Sequence, residues 1–253
     1  MARHLFGCWA AVSRRVRGAV SIWLFLDFDG TLAPFRATPG EARLADPTRR
    51  VLARLARRAR VRATIVSGRR RSDLIERVGV PRVRYWGLHG WERRRGRTLA
   101  GRARRAVSGA RRHLRERLRG LPGVGVEDKD LGFSVHVRHA PAGAARRARA
   151  AVRAVLAAYG TALRALPGSQ VVDVVPREVP GKGPAMRLAL GRGGRPFLPI
   201  YVGDDATDEP AFAVLRRGIT VRVGPARRTH AHYRLSGPDQ VRAFLERLDG
   251  ELS

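Results

Sequence analysis

The sequence predicts an α/β fold in which a parallel-sheet core is interrupted by a smaller α+β insert. Three observations predict it. The run IWLFLDF at 22–28 is continuously apolar until it ends in acids, as a strand buried on both faces does. Strand-like and helix-like stretches then alternate to about residue 100, and the alternation resumes after Pro176. Between those limits the order becomes helix–strand–strand, twice over, the pattern of a small antiparallel sheet with two helices.

Taken in order, the first twenty residues have an apolar stretch of only about eight, followed by Arg where a cleavage site would need small residues. LFGC resembles a lipoprotein cleavage box only superficially, since no apolar helix precedes it. A short helical or disordered extension is expected at 1–20, with no targeting signal, no membrane segment and a cytoplasmic location. The core then reads as strand 22–28, helix 47–59, strand 61–68, a short helix after Ser72 and strand 83–90. The insert reads as helix 101–119, strands VGVEDKD and FSVHVRH, helix 141–159, and strands TALRAL and SQVVDVVP. The core returns with helix 183–190, strand LPIYVGDD, a helix after Asp208, strand GITVRVG and a last helix at 238–248. The expected domains are therefore 1–20, a core of 21–100 with 176–253, and an insert of 101–175.

Composition narrows the chemistry. One cysteine, Cys8, excludes an internal disulfide framework, and no Cys/His cluster has zinc spacing, so carboxylates are the expected metal ligands. The net charge of +30 invites a nucleic-acid reading. The arginines are spread along nearly the whole chain, however, without aromatic interleaving or a nucleic-acid-binding motif, so no specific nucleic-acid partner is expected. Of 51 basic residues only Lys129 and Lys182 are lysine, and both fall inside candidate site motifs.

In a parallel sheet the ligand crevice lies at the carboxyl ends of the strands, so Asp27, Ser67 and His89 are expected to converge there. Asp27 and Asp29 stand two apart at one strand end, Gly30 permits the turn, and Thr31 adds a hydroxyl. Phosphoryl transfer needs a nucleophile, a proton donor for the leaving oxygen and cations on the developing charge. A paired carboxylate at a strand end can supply the first two and half of a magnesium site. Ser67 in VSGR can hold a phosphoryl oxygen, and Lys182 in PGKGPAM places a flexible cation before a helix. GDDATDE packs Asp204, Asp205, Asp208 and Glu209 into six residues, a density of charge that calls for a bound cation.

Asp27-x-Asp29, Ser67, Lys182 and Gly203-Asp204-Asp205, in this order, resemble the four motifs of the haloacid dehalogenase superfamily. GLHG at 87–90, E-x-K-x-x-x-FSVHVR at 127–138, KGPA, GDDATDE and the tail Y-x-L-x-x-P-x-x-V-x-x-FL carry the resemblance further, to the trehalose-phosphatase family, over 22–248. The resemblance implies a Rossmann-like core with the insert as an α+β cap domain, and hydrolysis of trehalose 6-phosphate to trehalose and phosphate. It implies that Asp27 is the nucleophile and becomes phosphorylated, and that Asp29 is the general acid and base. Mg²⁺ would be held by Asp27, the main-chain carbonyl of Asp29 and Asp204, with Asp208 helping through water or Lys182. Ser67 and Lys182 would complete the catalytic set, and Gly68, Arg69 and His89 would border the substrate. Glu127, Lys129, His136 and Arg138 would grip the glucose hydroxyls, which pair well with carboxylates and cations. A monomer is expected, with trehalose-6-phosphate synthase as the partner that the resemblance suggests. Trp91, Val137 and Asp173 depart from the family's habit without removing a catalytic group. The rival readings are another capped sugar phosphatase, acting on sucrose 6-phosphate or a glycosyl-phosphoglycerate, and an inert sugar-phosphate sensor.

Overall fold

The structure is a computed structural model that describes residues 2–35, 41–93, 101–168, 170–191, 197–225 and 228–253. In chain order its elements begin with β1 (Arg3–His4), α1 (Trp9–Gly18), β2 (Ile22–Leu26), α2 (Asp46–Arg57), β3 (Val61–Val66), α3 (Arg71–Val78) and β4 (Arg84–Trp86). Then follow α4 (Gly101–Leu118), β5 (Gly125–Asp128), β6 (Phe133–His136), α5 (Ala142–Tyr159), β7 (Leu163–Pro167) and β8 (Val171–Pro176). The last stretch holds α6 (Lys182–Gly191), β9 (Leu198–Gly203), α7 (Glu209–Val214), β10 (Ile219–Val223), β11 (Tyr233–Leu235) and α8 (Pro238–Glu251).

The chain divides into two compact units, Met1–Arg93 with Gly181–Ser253, and Arg94–Pro180. These edges lie several residues outside the expected 101 and 175, and residue 100 itself falls outside the described residues.

The first unit is built on a seven-stranded sheet, every pairing parallel, in the order β1-β11-β10-β9-β2-β3-β4. Alternation along β2 explains both of its faces. Ile22, Leu24 and Leu26 point into a core with α1, α2 and α8, while Trp23 and Phe25 point into a second core with α6 and α7. Each fully buried Phe or Leu there contributes roughly 2–3 kcal/mol by leaving water. α2 seals its side with Thr48, Val51, Leu52 and Leu55, an i, i+3, i+4, i+7 stripe. From β2 the chain steps to β3 on one side, and β9 lies on the other, so the sheet order reverses at the β2–β9 boundary. A crevice beyond the carboxyl ends is expected at such a reversal.

Two expectations are corrected here. Residues 2–20 are not an extension outside the core: β1 pairs with β11, and Leu5, Val12 and Val16 are fully buried. Trp9 meets Phe244 edge-on at 6.2 Å and donates its Nε1–H to Glu251 at 3.1 Å, clamping α1 to α8. Likewise the strand expected over 83–90 stops at Trp86, because Leu88 and His89 turn into the left-handed region, in a turn closed by the Gly90 N–H on Gly87 O.

The second unit has a four-stranded antiparallel sheet in the order β5-β6-β8-β7. Phe133, Val135, Val172, Val174 and Leu163 are buried on the face that α4 and α5 cover. In register on the opposite face stand Glu127, Ser134 and Asp173, with His136 two residues along from Ser134. Among the described residues, no helix of the structure is long and apolar enough to cross a membrane.

Candidate active site

The loops after β2 and β9 meet because their strands are hydrogen-bonded neighbours. The Asp27 N–H donates to Val202 O at 2.9 Å, which places the first acid of one loop beside the acids of the other. Gly30 makes the β2 turn possible. Its φ is +80°, and a Cβ there would strike Asp204 Oδ2 and the Phe35 ring. Thr31 Oγ1 then donates to Asp204 Oδ1 at 3.1 Å, locking the two loops together.

Asp27 is 5% exposed, and the Lys182 ammonium lies 3.0 Å from its Oδ1. Burial pushes the Asp27 carboxyl from 3.8 up to about 7; the Asp208 and Asp29 charges add to the rise and Lys182 opposes it. Asp204 is held well above the usual carboxylate range, first by burial and then by Asp27, Asp208 and Asp205. Burial pulls Lys182 down, but Asp208 and Asp27 outweigh it and leave the ammonium well above its ordinary value.

Asp208 is fully buried and accepts from three donors. Its Oδ1 accepts from Lys182 Nζ and from the Tyr201 hydroxyl, each at 2.7 Å, and its Oδ2 accepts the Asp205 N–H at 2.9 Å. Gly203 leaves room for this, since a Cβ there would sit 2.6 Å from Asp208 Oδ2. Tyr201 was not singled out in the sequence. A hydroxyl-bearing ring inside the otherwise apolar LPIYV strand was the available signal, because a buried phenol needs a polar partner.

Asp27, Asp204 and Asp208 can bring one oxygen each within 4.8 Å of one another. The donors are hard carboxylate oxygens, and one lysine faces three acids, two of them displaced upward by burial and by one another's charge. Such a set fits a divalent cation of the magnesium type.

Ser67 is buried at the end of β3, and its Oγ accepts the Arg69 N–H at 3.2 Å across Gly68. Its carbonyl accepts the His89 N–H at 2.8 Å. Leu88 and His89 hold φ values of 45° and 55°, two successive non-glycine residues in the left-handed region, at a cost of order 1–3 kcal/mol each. Glu92, missed as a site residue, pins this turn: its Oε2 accepts the Arg71 N–H at 2.7 Å. Arg69 forks onto Asp29 through Nε at 2.7 Å and a terminal nitrogen at 2.6 Å.

In the second unit, Glu127 Oε2 lies 2.8 Å from His136 Nε2, and Lys129 Nζ lies 3.1 Å from Asp173 Oδ1. Ser134 Oγ also donates to Asp173, so this buried acid, whose role the sequence left open, fastens Lys129 to the middle of the sheet. Arg138 lies just beyond β6 and is partly buried.

An Asp beside a Lys at a strand end, with a second Asp two residues on and a cluster of acids opposite, can carry out nucleophilic attack and proton transfer on a phosphate ester. Residues 25–239 match the profile of the family described as Trehalose-phosphatase. The trehalose-phosphate phosphatase of Mycobacterium tuberculosis (strain ATCC 25618 / H37Rv) is 35% identical over 244 residues, 90% of this chain and 61% of the relative. The chain thus spans about three fifths of the length of such curated relatives. The C-terminal domain of the C. albicans trehalose-6-phosphate phosphatase superposes with a TM-score of 0.84 at 23% identity, over 99% of this chain and 98% of that one. The Aspergillus fumigatus trehalose-6-phosphate phosphatase, crystal form 3, does so with a TM-score of 0.68 at 26% identity, over 99% of both.

Proposed function

Because the chain belongs to the trehalose-phosphatase family, we propose that it hydrolyses trehalose 6-phosphate to trehalose and phosphate through a phosphorylated Asp27. The observation that carries this reading is the buried Asp27 carboxyl, seated on Lys182, with Asp29 two residues away and Asp204 alongside.

Asp27 attacks phosphorus, the bond to the sugar oxygen breaks, and Asp29 gives that oxygen its proton. In the second half, Asp29 takes a proton from water, the water oxygen attacks the phosphorylated Asp27, and phosphate leaves with the carboxylate restored. Lys182 and the Ser67 hydroxyl hold phosphoryl oxygens, and Lys182 is itself fixed by Asp208 and Tyr201. A Mg²⁺ ion held by Asp27, the Asp29 carbonyl and Asp204 would neutralise charge on the phosphoryl oxygens when bound. Asp208, its oxygens occupied by three donors, serves the cation indirectly, by orienting Lys182 and the Asp205 amide.

Gly68, Arg69 and His89 border the substrate, the first two in the loop that carries Ser67 and His89 in the turn hydrogen-bonded to it. Glu127, Lys129, His136 and Arg138 take the sugar hydroxyls. The registered polar face of the four-stranded sheet supports this, since carboxylate and ammonium groups already positioned by neighbours bind hydroxyls at little entropic cost. The test is phosphate release from trehalose 6-phosphate by wild type and Asp27→Asn. Turnover lost in the variant is expected, and turnover retained would refute the mechanism.

A further inference from the structure

The proposed mechanism leaves Asp73 unused, yet the structure ties it to the reacting acid. Arg69 is buried at 7% exposure and bridges two carboxylates. Its Nε and one terminal nitrogen fork onto Asp29, and the other terminal nitrogen donates to Asp73 Oδ2 at 3.0 Å. The second oxygen of Asp73 accepts from Arg77 Nε at 2.6 Å, and Arg77 donates onward to Ala42 O at 2.9 Å. Charges therefore alternate along Asp29, Arg69, Asp73 and Arg77.

A guanidinium fork is planar and directional, but it rides on a flexible stem with many rotamers. The fork alone fixes Asp29 relative to Arg69, not relative to the protein. The anchor on Asp73 removes that freedom. Asp73 belongs to the first turn of α3, where the helix dipole favours a carboxylate. The Phe28 ring, 5.6 Å beneath the guanidinium, supplies a floor.

We propose that Asp73 is a positioning residue: acting through Arg69, it holds the Asp29 carboxyl where it can protonate the leaving sugar oxygen. This rests on the proposed function. Its signature is selective, because an alkyl oxygen needs Asp29's proton to leave, whereas a p-nitrophenolate leaves without one. The quantity kcat/KM runs from free enzyme and substrate to departure of the leaving group and excludes hydrolysis of the phosphorylated Asp27, so the alkyl–aryl contrast within it reports on protonation of the leaving oxygen.

The test compares kcat/KM of the full-length chain, Asp73→Asn and Asp73→Glu on trehalose 6-phosphate, a small alkyl phosphate and p-nitrophenyl phosphate, with Mg²⁺ present. Asp73→Asn should lose roughly tenfold to a hundredfold on the alkyl esters and less than about twofold on the aryl ester. Asp73→Glu should regain part of the loss. Turnover of the aryl ester also counts folded, competent enzyme. An equal fall on alkyl and aryl esters, or no fall on either, overturns the inference while leaving the proposed function standing. A wild type that cleaves no alkyl phosphate overturns both.

Discussion

Asp27→Asn should abolish turnover and yet make the metal-free protein more stable above neutral pH. Burial raises the Asp27 carboxyl from 3.8 to about 7 in the folded chain. Between those values the folded state holds a proton that the unfolded state has released, so stability falls as pH rises, by about 1.4 kcal/mol per pH unit. Across roughly three units the ionised carboxylate destabilises the fold by about 4 kcal/mol; that effect is complete above pH 7 and absent below about pH 4. Asparagine keeps the shape and can still accept from Lys182 without bringing a charge. For a chain of this size about 4 kcal/mol corresponds to a melting-temperature gain on the order of 10 °C at pH 8. Calorimetric unfolding of both proteins in chelator, from pH 5 to pH 8, measures it. The variant's advantage should open steadily with pH, and added Mg²⁺ should close it by stabilising wild type. A variant that melts at or below wild type at pH 8 in chelator would refute the electrostatic account.

Two further outcomes are expected from residues away from Asp27. Glu127→Ala, which removes the acid 2.8 Å from His136, should reduce kcat/KM on trehalose 6-phosphate at least about tenfold and leave a small generic phosphate ester nearly unaffected; comparing the two substrates checks it. Asp249→Asn should lower stability by about 2 kcal/mol at pH 7, read by denaturant unfolding, because this buried carboxylate binds Arg54 at 2.7 Å and Arg58 at 2.8 Å between α2 and α8. Although burial opposes it, hydrogen bonds from Arg54 and Arg58 hold the Asp249 carboxyl below its usual value. The stabilisation is therefore present above the unfolded carboxyl's pKa near 4 and fades as pH falls below it, so the two proteins should converge in acid.

Much of the architecture was legible because period and punctuation agree with the fold. IWLFL could only be a strand buried on both sides, and its two faces do enter two different cores. A helix at 1–20 was one of the expected readings, but its packing into the core was hidden because Arg14, Arg15 and Arg17 mask a narrow stripe. Val12 and Val16 become decisive only against α8, more than 200 residues away. β11 escaped for the same reason: three residues, YRL, form a strand only because β10 and β1 flank them. In the site, the lone Lys182 drew attention as one of two lysines in an arginine-rich chain, and it lies between Asp27 and Asp208. Arg69's fork onto Asp29 was not legible, since side-chain direction in a loop follows from what surrounds it, and Asp73 lies on the next helix. Tyr201 acts through a hydrogen bond to Asp208 that only the folded strand aims, and Glu92 through a backbone N–H 21 residues earlier that no spacing rule marks.

The most direct test of the central claim is kcat/KM for phosphate release by wild type on trehalose 6-phosphate, sucrose 6-phosphate and a glycosyl-phosphoglycerate, with and without Mg²⁺. Mg²⁺-dependent turnover, fastest on trehalose 6-phosphate, is the expected result. Equal or faster turnover of another sugar phosphate, or activity indifferent to Mg²⁺, would contradict it.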